Sequence, residues 1–213
     1  MIKAVLFDLD GVLVDSYEPA YRTLLNCFAK MGLLKDAPPK AIFLKKAGLP
    51  FQAWLKEFLP GKAAGNDFLV DDAASYAEQK YEKFFLPILG KTMAGAEEAL
   101  EGLRKKRVKT AVVTNNPRYL AEQVLESRKL KGLLDVLVTR SDVTEPKPSA
   151  EPLVKAMELL GVGREEVIYV GDSKIDVEAA ENAKIKFILL KNAFNKRLKA
   201  RKANSLIDLL LMV

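Results

Sequence analysis

IKAVLFDLDGVLVDS, residues 2–16, decides how the rest of this chain is read. Ile2 to Phe7 is a short, largely apolar run with β-branched residues, the pattern of a buried strand. It stops abruptly at Asp8, Asp10 and Gly11. Two carboxylates one residue apart point to the same side of an extended backbone, unless a turn begins there. Burying both ionised without a partner would be very costly. A cation is therefore expected between them, and a hard, oxygen-preferring ion such as Mg2+ is the natural candidate. Gly11 lets the chain turn sharply after the pair. The alternative is a strand that ends in a solvated acidic turn.

Composition narrows the chemistry. The chain has 213 residues, 49% hydrophobic and 29% charged, enough for one good core or a core plus a small second domain. No stretch reaches the roughly 18 consecutive apolar residues of a membrane span. The N-terminus runs straight into a strand with acidic residues, so no signal peptide is expected. The single cysteine, Cys27, lies in an apolar helical pattern and reads as packing. A reducing, cytoplasmic setting fits. The chain has no histidine. Ser-His-Asp and Cys-His catalysis, histidine metal sites and a histidine base are excluded. Carboxylates, lysines, hydroxyls and a metal must carry any chemistry. The net charge of +6 suits anionic ligands or nucleic acid.

Residues 17 to 87 read as helical throughout. Pro19 suits a first helical turn, and Tyr21, Leu24, Leu25 and Phe28 repeat at helical spacing. A second helix passes through Ile42 and Phe43, and Gly48–Leu49–Pro50 is a tight loop. Phe51, Trp54, Leu55 and Phe58 form another stripe, and a longer helix from about Asp67 to Phe85 is ended by Pro87. After that, short apolar strands alternate with helices. Strands are predicted over 108–114, 135–139, 167–171 and 186–190, with helices over 95–106, from Asn116 as cap, over 149–161, over 175–182 and from Ser205. This alternation predicts a doubly wound, Rossmann-like parallel sheet covered on both faces. The helical block is an insertion after the first strand.

In such sheets ligands bind beyond the carboxyl ends of the strands. The first predicted strand ends in Asp8 and Asp10, and the second in Thr114–Asn115. The fourth of the core strands ends in Gly171–Asp172–Ser173, with Asp176 one helical turn on. Glu145–Pro146–Lys147–Pro148 precedes the helix before it. Were the ligand a phosphate dianion, it would repel these carboxylates, so a divalent cation must screen them; Asp8 and Asp172 are the evident ligands. Charge developing on phosphoryl oxygens needs fixed donors, and Thr114, backbone N–H groups and Lys147 supply them. Taken singly, each feature has a plainer reading: a strand end, a surface lysine, a helix cap. Together, in this order, they point to phosphoryl transfer.

FDLDGVLVDS, VVTNN, EPKPSAEP and VGDSKID resemble the four motifs of the haloacid dehalogenase superfamily, and the resemblance covers nearly the whole chain. It implies a helical cap of the kind found in phosphoglycolate phosphatase and β-phosphoglucomutase relatives. It implies Asp8 as nucleophile and Asp10 as general acid/base. Thr114, Asn115 and Lys147 would bind phosphate. Mg2+ would be held by Asp8, the backbone carbonyl of Asp10, and Asp172, with Asp176 supporting the metal or Lys147 and with Gly11 and Ser173 in supporting places.

Some departures bear on function. True dehalogenases lack the second aspartate of the first motif, so Asp10 argues against that chemistry. The β-phosphoglucomutase members carry a cap histidine and an arginine after the cap's glycine loop; this chain has no histidine, and Phe51 falls where the arginine would be. AAENAKIK lacks the glycine often found before the next strand. Lys45 and Lys46 read as a solvated helix end, with contact to an anionic substrate group as the alternative. The basic run Lys191 to Lys202 reads as a solvated face rather than a nucleic-acid surface, because no aromatic platform accompanies it.

The expectation is a core domain from 1–15 and 88–213 and an all-helical cap from 16–87. The expected function is hydrolysis of a small phosphate monoester, resembling that of phosphoglycolate phosphatase, with Mg2+ and an aspartyl-phosphate. The partner is a small phosphorylated metabolite, with no membrane and no nucleic acid, and the chain is a monomer or weak homodimer. A sugar-phosphate mutase and a non-catalytic nucleic-acid-binding protein are the alternatives.

Overall fold

The computed structural model describes residues 1–46 and 50–213. Gly48 and Leu49 of the expected cap loop therefore lie outside the described residues, as does the side chain of Lys46. The chain divides into two compact units, Met1–Asp15 with Lys91–Val213, and Ser16–Gly90.

The first unit holds the strands β1 (Ala4–Phe7), β2 (Val14–Asp15), β3 (Lys91–Thr92), β4 (Lys109–Val113), β5 (Val136–Val138), β6 (Val167–Gly171), β7 (Lys186–Leu190) and β8 (Arg201–Ala203). Six of them form one parallel sheet in the order β5-β4-β1-β6-β7-β8. The chain winds outward from β1 through β4 to β5, then crosses back to run through β6, β7 and β8. Strand order therefore reverses beside β1, where open sheets of this kind form a crevice. β1 is wholly buried, as a central strand covered on both faces must be. Its Ala4 and Leu6 join Ala111, Val113, Tyr169 and Leu153 in one cluster, while Val5 and Phe7 point to the opposite face and are equally buried.

The helices of this unit are numbered after those of the inserted unit, which come earlier in the chain. The insertion contains α1 (Tyr17–Lys30), α2 (Lys40–Phe43), α3 (Phe51–Phe58), α4 (Asp67–Lys80) and α5 (Leu86–Leu89). The sheet unit contains α6 (Ala96–Lys105), α7 (Arg118–Ser127), α8 (Glu151–Leu160) and α9 (Lys174–Ala183). Ala156, Met157, Ala179 and Ala183 of α8 and α9 pack into the Ala4–Leu6 cluster. In the insertion, Phe43 is fully buried against Trp54, with ring centroids 4.4 Å apart, and Phe58 and Tyr21 close round it. Cys27 is buried and its Sγ lies 3.5 Å from the Ala73 carbonyl, with burial raising the thiol to about 11. That agrees with packing rather than chemistry.

Two local expectations are corrected. Pro87 does not end its helix: Tyr81–Phe85 widens into a π turn and α5 continues through Pro87 to Leu89. Proline lacks an N–H and clashes with the carbonyl four residues back, and a wider turn just before it relieves both. Asn116 does not cap the following helix. Pro117 holds that place, the Arg118 N–H is taken by Ser141 Oγ at 3.2 Å, and the Asn116 side chain turns elsewhere. In the basic run Lys191 to Lys202 most of the cations are exposed, as a solvated face requires, and the run also holds a strand that the sequence reading lacks. Arg201 and Lys202 are part of β8, the sixth strand, at the sheet's edge. Three residues with two cations carry no apolar signature, yet short cationic strands are how sheet edges avoid unwanted pairing. At the far end, Ile207–Leu211 forms a 3-10 helix, with Ser205 Oγ accepting from the Asp208 N–H. Among the described residues no helix is long and apolar enough to cross a membrane.

β2 and β3 form a separate antiparallel pair, Val14 opposite Thr92 and Asp15 opposite Lys91. They bracket the insertion in sequence. Gly11 makes the bend that leads into β2: its φ is +74°, a region costly for any residue with a Cβ, and its N–H donates to the Val14 carbonyl at 2.7 Å.

Candidate active site

The register of the central strands sets the site. Phe7 is level with Val112 on one side and Val170 on the other. Asp8, Thr114 and Asp172 therefore leave β1, β4 and β6 within one residue of the same height, at the strands' carboxyl ends. Asp8, Thr114, Lys147, Asp172 and Asp176 are all buried, and Asp10 is half-buried.

Lys147 joins the ends. The residue is 5% exposed, and its ammonium donates at 2.8 Å to Asp8 Oδ1, to Asp176 Oδ1 and to the Tyr169 hydroxyl. An ammonium has three donors, and these three acceptors use them all. Tyr169, fully buried on β6, in turn donates to Asp176 Oδ1 at 2.6 Å. Asp176 Oδ2 accepts from the Ser173 hydroxyl at 2.6 Å and from the N–H groups of Ser173 and Asp172. Ser173 is also the N-cap of α9, accepting from the Asp176 N–H, so the two residues cap each other. Gly171 makes this possible: a Cβ there would lie 2.4 Å from Asp176 Cβ, a distance no side chain tolerates.

The two carboxylates on Lys147 differ in acidity. Burial first, then the charge of Asp176, pushes the Asp8 carboxyl well above the usual range, against the pull of Lys147. Burial acts on Asp176 too, but the charge and hydrogen bond of Lys147, with the Ser173 and Tyr169 hydroxyls, hold it below the usual range. Lys147 is held above its ordinary value: burial opposes its charge, and Asp176 and Asp8 outweigh that. Burial, then the same two carboxylates, raises the Tyr169 phenol well above its ordinary value, so it remains a neutral donor.

Asparagines hold the remaining pieces. Asn115 clasps the backbone of Lys147, accepting from its N–H at 3.0 Å and donating to its carbonyl at 2.9 Å. Asn116 donates to Asp10 Oδ2 at 2.6 Å. Asn192 donates to Asp172 Oδ2 at 3.1 Å, and Asn195 to the Asp172 carbonyl at 2.9 Å. Thr114 Oγ1 accepts from the Asn116 N–H at 3.1 Å.

The sequence-predicted residues Asp8, Lys147, Asp172 and Asp176 thus converge, with Thr114 ending the adjacent strand. The Asn115 carboxamide is engaged on the Lys147 main chain. Lys45 is exposed. Tyr169, Asn192 and Asn195 carry no signal of a site in the sequence, and Asn116 reads there only as a helix cap. Tyr169 sits inside an apolar strand, where it reads as core. The asparagines bond to partners far along the chain, and no spacing marks that.

Carboxylate oxygens of Asp8, Asp172 and Asp176 all lie within 4.8 Å of one another. Three buried carboxylates against one ammonium leave excess negative charge, and all the donors are hard oxygens. The cluster can hold a metal ion, and its donors suit a hard divalent cation.

Residues 5–190 match the sequence profile of the haloacid dehalogenase-like hydrolases. The chain belongs to this family. It is 32% identical to a phosphorylated carbohydrates phosphatase of Thermotoga maritima over 88% of this chain and 84% of that one. It is 30% identical to a phosphoglycolate phosphatase of Aquifex aeolicus, again over 88% and 84%. A subfamily IA haloacid dehalogenase-superfamily hydrolase from Geobacter sulfurreducens superposes over the full length of both chains with a TM-score of 0.72 at 29% identity. A parallel sheet with helices around it is the fold of this superfamily.

Proposed function

We propose that this hydrolase is a Mg2+-dependent phosphatase acting on a small phosphate monoester through an aspartyl-phosphate on Asp8. One observation carries the reading. The Lys147 ammonium is held against Asp8 in a buried site whose other two carboxylates, Asp172 and Asp176, end a neighbouring strand and open its helix. A buried cation beside an attacking carboxylate is what a phosphoryl group arriving there needs.

Both hydrogen bonds to Asp8, from Lys147 and from the Leu9 N–H at 2.8 Å, fall on Oδ1. They fix the carboxylate and leave Oδ2 to attack phosphorus. Asp10, oriented by Asn116, protonates the leaving oxygen as the P–O bond breaks. It then takes a proton from water, which attacks the aspartyl-phosphate and frees inorganic phosphate. The Thr114 hydroxyl and the backbone N–H of Asn115 receive the phosphoryl oxygens, and Lys147, whose three donors are already engaged, adds its charge and joins them by giving up one of its present acceptors. Asp8, Asp172 and the Asp10 carbonyl would hold Mg2+, which when bound screens the repulsion between phosphate and Asp8. Asp176 accepts five hydrogen bonds across its two oxygens and acts as the hub that holds Lys147. In the same reading, 1–15 with 88–213 is the catalytic core and 16–87 the cap.

The test is a panel of phosphoglycolate, sugar phosphates, nucleotides and pyrophosphate with Mg2+, assayed for released phosphate. Activity should appear on at least one ester, vanish with exhaustive EDTA, return with Mg2+ and be absent in Asp8→Asn. Activity that survives chelation, or that Asp8→Asn retains, refutes the mechanism. With β-glucose 1-phosphate and a bisphosphate primer, free phosphate should exceed glucose 6-phosphate. The chain lacks the histidine that would orient a sugar in place of water. Efficient isomerisation would make it a mutase.

A further inference from the structure

The segment after β7 does something its composition hides. Its Lys191 N–H donates to the Ala203 carbonyl of β8 at 2.9 Å, and the Lys202 ammonium closes on the Lys196 carbonyl at 2.9 Å. Between these braces, Asn192 and Asn195 build a turn on each other. Asn192 Oδ1 accepts from the N–H groups of Phe194 and Asn195 at 2.8 and 2.9 Å, and Asn195 Oδ1 accepts from the Asn192 N–H at 3.0 Å. The oxygen end of each carboxamide is thus used to hold the turn.

The nitrogen ends face the other way. Asn192 Nδ2 donates to Asp172 Oδ2, and Asn195 Nδ2 bridges the Asp172 and Leu190 carbonyls at 2.9 and 2.8 Å. Asn195 is 6% exposed, so its two bonds are made away from water. Asp172 is gripped at its side chain and at its main chain by one four-residue turn.

We propose that Asn192 is a positioning residue for the metal ligand Asp172. By bonding Oδ2 it fixes the plane of the carboxylate beside the Asp8 and Asp176 oxygens, and Asn195 fixes the backbone from which that carboxylate springs. The inference rests on the assignment of Asp172 as a ligand. It gives the basic run a structural task that needs no nucleic acid: Lys191 and Lys202 brace the turn that delivers Asn192. Partners of metal ligands in this position typically change metal affinity by about 10- to 100-fold.

The two ends of the carboxamide make the test clean. A serine or threonine at 192 keeps an oxygen that can accept the turn's N–H groups but has no amide donor to reach Asp172. Mg2+ binding is measured by calorimetry and Mn2+ binding by electron paramagnetic resonance, on wild type, Asn192→Ser, Asn192→Thr and Asp172→Asn, without substrate. Metal-free melting is followed alongside. The expected result is a metal dissociation constant raised about tenfold or more in whichever of the two 192 variants melts near wild type. A folded 192 variant that binds both ions within twofold of wild type overturns the inference while the phosphatase reading stands. So does a loss of melting temperature in both variants with affinity unchanged in the folded fraction. Wild-type affinity in Asp172→Asn, or no metal binding by wild type, overturns the ligand assignment itself.

Discussion

The ammonium of Lys147 lies 2.8 Å from Oδ1 of Asp8, a residue 139 positions earlier in the chain. That one bond ties the end of β1 to the segment before α8, and its charge is what makes the buried carboxylates tolerable. Lys147→Met would leave Asp8 and Asp176 without their counter-charge. Removing one partner of a buried pair costs about 3–5 kcal/mol. Urea unfolding should show a loss of that order in metal-free protein, together with loss of phosphatase activity. A loss below about 1 kcal/mol would mean that the carboxylates do not depend on Lys147.

Asp10 and Asn116 can be separated kinetically. Asp10→Asn removes proton transfer and should lower kcat by about 10²–10⁴-fold. Asn116→Ala leaves the carboxylate in place but takes away the 2.6 Å bond that orients it. A misplacement of that kind costs up to about 100-fold, so its kcat should fall less than that of Asp10→Asn, with KM little changed. An Asn116→Ala enzyme with wild-type kcat would remove Asn116 from the mechanism.

Gly171→Ala should be far more damaging than one methyl suggests. The new Cβ would need the space of Asp176, whose Cβ and Cγ lie 2.4 and 2.6 Å away. Overpacking of this sort costs about 1–3 kcal/mol. Displacing Asp176 also loosens Lys147, so activity should fall as well. Thermal melts and steady-state assays on one preparation check both, and a variant matching wild type in each would show that β6 and α9 can separate cheaply.

Away from the site, Arg118 and Asp142 set a pH dependence. Arg118 Nη2 donates to Asp142 Oδ2 at 2.7 Å, and the Thr139 N–H and hydroxyl donate to the same oxygen. Burial works to raise the Asp142 carboxyl, but Arg118 and Thr139 together hold it below the usual range. A folded pKa below the unfolded one means stability that is present above the unfolded value, about 3.9, and lost as pH falls through the folded value. The melting difference between wild type and Asp142→Asn should be constant from neutrality to about pH 5 and shrink below about pH 4. A difference that grows on acidification would reverse the sign and reject the pairing.

Much of this architecture is legible in the sequence because it is written in periodic terms. FDLD, VVTN and VGDS are apolar strands that end in polar residues, and the alternation of strands and helices implies that those ends meet. What is not legible is aperiodic. Arg201–Ala203 pairs with β7 through its backbone, so its side chains say nothing of the strand. Asn116 has a good cap's position and a different task, because an acidic partner 106 residues away competes for it. Tyr169 reads as core by pattern and is core by burial, yet its hydroxyl belongs to the charge network. Lys184 stands at φ +55°, where glycine is common after a helix, and its absence from the sequence pattern does not prevent the turn.

The antiparallel pairing of Val14–Asp15 with Lys91–Thr92 has an evolutionary consequence. The two points at which the helical block leaves and rejoins the sheet-bearing unit are neighbours across a strand pair. Whatever lies between them is a cassette: it can lengthen, shorten or be traded for another without moving Asp8, since the same two strands could be joined by a tight hairpin. Selection can then rewrite the inserted block while the residues on the parallel strands stay as they are. The inserted block can thus change in length and sequence while the chain ends that carry it stay paired.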